Sequence, residues 1–437
     1  MSQESRLTKR MAGLLKARLP DVQLERLDDP RAKRGRRWAF STLLKTAVAG
    51  LAAGMKSFGQ LEALTENLSV GMRRCLGISR RVPDTTMRDA LVAASPEVLR
   101  RGIHNQIKAA LRRKALEPVG LPFGVVALDG KNITLEAWDD VYAQRHTHKD
   151  KSGACGQLRT ITCCLISSAA KVCLDAIPLL ANTNEVGFFR EALRQLVSTY
   201  GTRLFRMVSY DAGGCSEENA DFVVSLGLDY LFAIKPNQPG IFKNFEFFLG
   251  RQKPEAALAQ TQDVLSNKNI VTRRVFLVEK KPLYRWAHAH TFIRVDSIIH
   301  DADGALVKQK TSDGKLVDCV TRYFLSSAGQ AVLTPAQWLL VVRRHWAVEN
   351  NIHHTLDTAF REDDFPFMPS SPVGSLNVLL LRRIAFNMLA LFRSVTQRSE
   401  DKRATPWLTL FGQLYIALVS ASLEAVAGLR TRVVAAS

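Results

Sequence analysis

Between Pro122 and Leu249 short β-rich apolar runs alternate with amphipathic segments in an order that few folds accommodate. Phe123-Gly124-Val125-Val126-Ala127-Leu128 is an apolar run closed by Asp129-Gly130-Lys131. Leu158–Ser167 (LRTITCCLIS) and Lys171–Leu180 (KVCLDAIPLL) read as two more strands, joined by a tight turn at Ser168-Ala169-Ala170. Asn184–Tyr200 carries apolar residues at 186, 189, 193, 196 and 197, the stripe of a helix. Leu204–Tyr210 is a strand ending at Asp211, followed by a helix (Glu217–Leu226), a strand (Tyr230–Ile234) and a helix (Ile241–Leu249). The order β-β-β-α-β-α-β-α implies an antiparallel meander, then parallel strands reached through helices.

The flanks read differently. Residues 1–120 suggest short helices: a segment through Leu43–Leu51 capped by Ser41, another at Ser57–Leu68, then Met87–Leu91 and Pro96–Leu116, with a basic turn capped at Asp84 or Thr85. Residues 251–330 read as a β-rich insertion, with strands at Asn269–Lys280, Tyr284–Ile299, Ala305–Lys310 and Thr321–Ser326, and turn signals at Asp303-Gly304 and Asp313-Gly314. Thr334 and Pro335 open a long helix expected to run to about Phe360, and apolar helix dominates Ser375–Ala436. This divides the chain into a helical region (1–120), the first part of a core (121–250), the insertion (251–330) and a closing helical part (331–437).

Composition narrows the function classes. With 46% hydrophobic and 23% charged residues in 437, a disordered or collagenous chain is excluded. The net charge of +19 points to a polyanionic partner. Residues 1–120 hold 24 Lys/Arg against 11 Asp/Glu, so two-thirds of that excess lies in the first quarter of the chain. The polar N-terminus lacks a signal-peptide core, and the uncharged stretch Ala404–Leu423 reads as a buried helix; no membrane association is expected. Seven cysteines without a Cys-x-x-Cys pair suit a reduced, cytoplasmic chain.

Two acids stand at strand ends, Asp129 after VVAL and Asp211 after RMVSY. The element order is that of the ribonuclease H-like fold, whose first and fourth strands are neighbours, so these carboxylates would meet. Glu349 on the long helix is a third. Hard oxygen ligands from two strands and a helix suit a pair of Mg²⁺ ions, with Mn²⁺ able to substitute. His345, Glu349 and His353 fall at i, i+4 and i+8, on one face of an unbroken helix. Polar packing beside the acids is the favoured role for these histidines; a zinc site is the alternative, although no further ligand lies at suitable spacing.

The motifs DPRAKRGRRWAF (Asp29–Phe40), GMKSFGQLEAL (Gly54–Leu64), RRVPDTTMRDAL (Arg80–Leu91), ALDGK (Ala127–Lys131), DYLFAIKPNQP (Asp229–Pro239), RYFLSS (Arg322–Ser327) and RRHWAVENNIHHTLDTAFREDD (Arg343–Asp364) occur in that order. In this the chain resembles bacterial insertion-sequence DDE transposases, specifically the H-repeat-associated group. The resemblance implies a ribonuclease H-like catalytic core with Asp129, Asp211 and Glu349 as catalytic, metal-holding acids. It also implies cleavage at element ends and strand transfer into target DNA. The wider superfamily's Tyr-x2-Arg-x3-Glu-x6-Lys signature falls here on Val342, His345, Glu349 and Leu356, so only the acid is kept. His345, Trp346, Asn350 and His353 stand in its place as accessory residues.

Double-stranded DNA, both the element's terminal inverted repeats and the target, is the expected partner, bound by a dimer assembled on the DNA. Arg31, Lys33, Arg34, Arg36 and Arg37 are candidate phosphate contacts, as are Arg73, Arg74, Arg80 and Arg81. Lys131, Arg343 and Arg344, which flank the acids, are further candidate DNA contacts. Lys235, Asn237 and Gln238 form a turn that either touches DNA or simply reverses the chain. A nuclease of the same fold that does not join strands, and a non-catalytic DNA-binding relative, are the competing readings.

Overall fold

The computed structural model describes residues 3–427 except 35, 148–152, 184, 237, 266, 280–285 and 312–313. The first six helices are α1 (Gln3–Arg18), α2 (Phe40–Ala52), α3 (Phe58–Asn67), α4 (Val70–Leu76), α5 (Asp84–Ala93) and α6 (Pro96–Arg112). Strands β1 (Val125–Leu135), β2 (Ala143–Thr147), β3 (Ala154–Leu165) and β4 (Cys173–Pro178) follow. Next come α7 (Glu185–Tyr200), β5 (Met207–Tyr210), α8 (Glu217–Ser225), β6 (Asp229–Ile234) and α9 (Pro239–Leu249). The strands beyond are β7 (Ala259–Val264), β8 (Ile270–Glu279), β9 (Thr291–His300), the two-residue β10 (Leu306–Val307), β11 (Gln309–Lys310) and β12 (Leu316–Val317), and β13 (Cys319–Ser326).

One eleven-stranded sheet runs β2-β3-β1-β5-β6-β13-β9-β8-β7, with β4 on β3 and β10 on β9. β1 lies antiparallel to β3 and parallel to β5, which is parallel to β6. The expected neighbours β1 and β5 therefore do meet. Most strands of the 251–330 segment join the main sheet: β13 pairs antiparallel with β6, and β9, β8 and β7 extend the sheet from there, while β11 and β12 pair only with each other. β2 gave no sequence signal, because its exposed polar run AQRHT buries only Ala143.

Several boundaries move. Phe40 rather than a residue after Ser41 opens α2, capped by Ala39, and Pro83 rather than Asp84 or Thr85 precedes α5. Asp129 is not at a strand end: β1 continues to Leu135 because its antiparallel pairing with β3 runs well past it. Of the expected strand at Tyr284–Ile299 and turn at Asp313-Gly314, residues 284, 285 and 313 lie outside the described residues, as do Asn184 and residues 428–436.

The long helix is also broken. α10 (Pro335–His345) starts with the expected cap, Thr334 and Gln337 exchanging hydrogen bonds. It then opens into a π turn, Val348–His353, before α11 (His354–Thr358). A π turn takes more residues than an α turn, so the even i, i+4, i+8 ladder does not persist through it.

The C-terminal helices are α12 (Pro372–Leu391), α13 (Glu400–Arg403), α14 (Trp407–Ser420) and α15 (Leu423–Ala427). The described helix long and apolar enough to cross a membrane is Pro372–Thr396, not Ala404–Leu423; its apolar 18-residue stretch is fully buried, while Val395 at its end is exposed. A helix apolar all round needs cover on every side. Asn377 Nδ2 donates to the Leu91 and Ala94 carbonyls, Gln106 Nε2 to that of Ile384, and Asn387 exchanges two 2.8 Å bonds with Cys173. The helices of residues 1–120 thus wrap a helix from the other end of the chain.

Candidate active site

The parallel register pairs Ala127 with Ser209, so Asp129 and Asp211 stand two residues further along adjacent strands. Adjacent strands are about 4.8 Å apart, so Asp129 and Asp211, the latter one residue past the end of β5, lie at neighbouring positions of the sheet. Asp211 begins a tight turn, Ala212–Gly214, folded back on its own strand. A Cβ on Gly214 would lie 1.9 Å from the Tyr210 ring, so glycine at 214 is a packing requirement.

Glu349 is contributed by the π turn. As a residue it is exposed, but its carboxyl reaches a partly desolvated corner. Burial raises its pKa, the Asp129 charge raises it further and Asp211 adds to that, against the opposing influence of His353 and Lys235. The three acids therefore share one electrostatic neighbourhood despite their separation in sequence.

Basic and polar groups pin this neighbourhood. His353 Nδ1 is 3.3 Å from Asp129 Oδ2, and its buried Nε2 has no hydrogen-bond partner. Lys235 Nζ donates to Asp211 Oδ2 at 3.0 Å. His345 is buried against Phe324 and Trp346, with Nδ1 2.7 Å from Ser209 Oγ on β5. Burial pushes His345 down to about 4, outweighing the pull of Asp211 and then Asp129, so its imidazole is neutral near pH 7. His345 is thus a wedge between α10 and β5, two residues from Asp211.

The other candidate residues divide sharply. Lys131 is buried and paired with Asp357 and Asp363 at 2.6 and 2.8 Å, which makes it a structural cation. Arg343 pairs with Asp263 at 2.7 Å, and Arg344 donates to the Val119 and Ser167 carbonyls. Gln238 Nε2 donates to the Cys215 carbonyl and closes its turn, while Asn237 lies outside the described residues. Arg31 grips Asp29 and the Trp38 carbonyl, and Arg36 donates to backbone carbonyls of its own loop. Arg73 donates to the Leu68 and Glu66 carbonyls, Arg80 stacks on Trp38 and Arg81 pairs with Glu62. Lys33, Arg34, Arg37 and Arg74 are exposed, as is Asn350.

Two residues at the site had no role assigned from sequence. Ser209 carries no signal of its own. Arg322, the first residue of RYFLSS, places its guanidinium 4.7 Å above the Trp346 ring, within the field of Glu349. Its motif was visible; its position beside the π turn needed the fold.

The donors are carboxylates, with no thiolate among them, and Glu349 is strained by two like charges. That chemistry fits a divalent cation. As they stand, no group of three or more His, Cys, Asp or Glu among the described residues converges tightly enough to hold a metal, and no zinc site forms at His345 and His353.

No family model matches the chain. It is 26% identical over 286 residues to "Putative protein YbfL" of Escherichia coli (strain K12), covering 64% of this chain and 68% of that protein. Over the same length and shares it is 25% identical to "H repeat-associated putative transposase YhhI" of the same organism. The likeness to the H-repeat-associated group therefore stands on sequence. A solved structure, piggyBac transposase in a synaptic complex with hairpin DNA, aligns with 96% of this chain and 79% of its own, at a TM-score of 0.42 and 11% identity. A likeness that loose carries no weight for fold or function.

Proposed function

We propose that the protein is a DNA transposase that cuts phosphodiester bonds at the ends of a mobile element in the bacterial cytoplasm and joins the freed ends to target DNA. The observation that carries this reading is the gathering of Asp129, Asp211 and Glu349 into one electrostatic neighbourhood. The strand order β3-β1-β5-β6, antiparallel then parallel, supports a ribonuclease H-like core beneath them. The printed name of the relative YhhI supports the same reading.

Asp129, Asp211 and Glu349 would hold Mg²⁺, or Mn²⁺ in its place. Such ions supply charge stabilisation to the reacting phosphoryl group when bound. The chain's own residues do the positioning. His353 orients the Asp129 carboxylate, and neutral His345 fixes the end of β5 through Ser209. Lys235 and Arg322 stand on either side of the acids, placed to receive phosphate oxygens of the entering strand. The π turn carries Glu349, which would complete the metal-holding set with the two aspartates. Two element ends require two such sites, hence two subunits assembled on DNA.

Incubation of the full chain with labelled element-end DNA and Mg²⁺ tests the reading. Cleaved ends and joined products are expected. Cleavage without joining would make the protein a nuclease, and neither product would leave a DNA-binding relative.

A further inference from the structure

The π turn has two sides. Glu349 and His353 face the acids, whereas Asn350, Asn351 and His354 line a groove on the other side. That groove has a volume of about 560 Å³ and adjoins a second hollow of about 360 Å³, the two sharing Lys171, Asn350 and Asn351. The cations lining the two hollows are Lys171 at the tip of the β3–β4 turn, Arg343 and Arg344 on α10, and Arg393 after α12. Trp407 forms part of the wall, with the Arg393 guanidinium 5.2 Å from its ring.

What sets this cluster apart is its missing counter-charge. Arg343, which lines the same hollow, pairs with Asp263, and Lys131 and Lys235 beside the acids each have a carboxylate. Lys171, Arg344 and Arg393 have none among the described residues. Lys171 Nζ reaches only Asn351 Oδ1 at 3.3 Å, Arg344 reaches backbone carbonyls, and Arg393 Nε donates to the Arg403 carbonyl. Lys171 is moreover held at φ 46°, a strained backbone for a residue with a side chain. Burial, then the charges of Arg344, Arg343 and Arg393, all weaken its hold on its proton. Half-buried like charges with no internal anion are costly unless an external anion completes them.

We infer that this groove binds the phosphodiester backbone of the DNA strand leading to or from the acids, with Lys171, Arg344 and Arg393 as its phosphate contacts. The occupant follows from the lining. Amide side chains and an indole beside the cations suit a nucleic-acid strand, whose phosphates and base faces alternate. A flat anionic membrane would not enter a recess walled by α11, α12 and the start of α14. One turn of backbone separates this strand path from Glu349, so a seated strand would set the position of the π turn directly. The inference rests on the proposal that the chain acts on DNA.

Binding of the full chain to a fluorescent element-end duplex, measured across a salt series, tests it. Lys171→Gln and Arg393→Gln should each reduce the slope of log affinity against log salt by about 0.9, and the double variant by about 1.8. Lys171→Arg should restore the wild-type slope. Arg194→Gln, a charge loss on exposed α7 that lines neither hollow, should leave it unchanged, and circular dichroism of each variant should match the wild type. Duplex binding by the wild type with unaltered slopes in both Gln variants would overturn the groove and spare the DNA reading. Failure of the wild type to bind any duplex would overturn both. Displacement of duplex by a mononucleotide at matched phosphate concentration would reduce the groove to a small-anion site and also overturn it.

Discussion

Two sets of carboxylates in this protein have opposite circumstances. Asp175 and Glu362 are sealed in the core, with side-chain exposures of 1% and 0%. Each is met by a guanidinium: Arg100 takes both oxygens of Asp175, joined by His104, and Arg383 takes both of Glu362. Asp129 and Asp211 expose 21% and 46% of their side chains and meet His353 and Lys235 at 3.3 and 3.0 Å. Glu349 is pressed by like charges. The sealed pairs tie elements together, α6 to β4 and the loop after α11 to α12. The open acids stand at the surface, where something that arrives from outside can reach them.

This contrast can be broken by mutation. Glu362→Ala strands Arg383 without a partner, and an unfolding titration should show a loss of about 3–5 kcal/mol. Asp175→Asn, which leaves Arg100 and His104 under-compensated, should cost about 3 kcal/mol by the same measurement. Replacing Glu362 and Arg383 together by Leu and Met should recover much of the first loss, because the desolvation cost disappears with the charge.

The same contrast appears in acid. Burial works to raise the Glu362 carboxyl, but Arg383 and then Arg382 outweigh it and hold it low. Burial likewise works to raise Asp175, and His104 and Arg100 outweigh it. A carboxyl depressed in the folded state gives stability that is complete above its ordinary value, near pH 4, and is lost as pH falls through the folded value. Unfolding followed from pH 6 to 2 should show that loss, and Glu362→Gln should flatten part of it. The smallest effects belong to the open set and the exposed loop. Asp211→Asn and Glu349→Gln should shift stability by less than about 1 kcal/mol. Arg34→Gln with Arg37→Gln should leave stability unaltered and reduce the salt slope of duplex binding by at most about 1.8.

Legibility followed the same division. Apart from β2 the element order could be read from local patterning, and Asp211 from its place after β5, because strand runs and their ends are short-range signals. Glu349 was picked out by its place on the long helix and the motif around it. The neighbourhood of β1 and β5 followed from that order. What stayed hidden depends on long-range pairing. Asp129 sits within a strand because β3 pairs past it. Most of the 251–330 strands join the main sheet because β6 offers β13 a free edge. Lys131 looked like a DNA contact until Asp357 and Asp363 were brought against it from more than two hundred residues away. The π turn left no periodic trace, since an inserted residue is invisible within a helix-compatible run. The groove cations Lys171 and Arg393 belong to no motif, and only the fold unites them.

The most direct measurement is cleavage of element-end DNA by the wild type and by Asp129→Asn, Asp211→Asn and Glu349→Gln, in Mg²⁺, with duplex binding measured in parallel. Each variant should lose cleavage by roughly a thousandfold or more, about 4 kcal/mol of barrier, while binding DNA as the wild type does. Near wild-type cleavage by any one of the three would contradict a shared three-acid site.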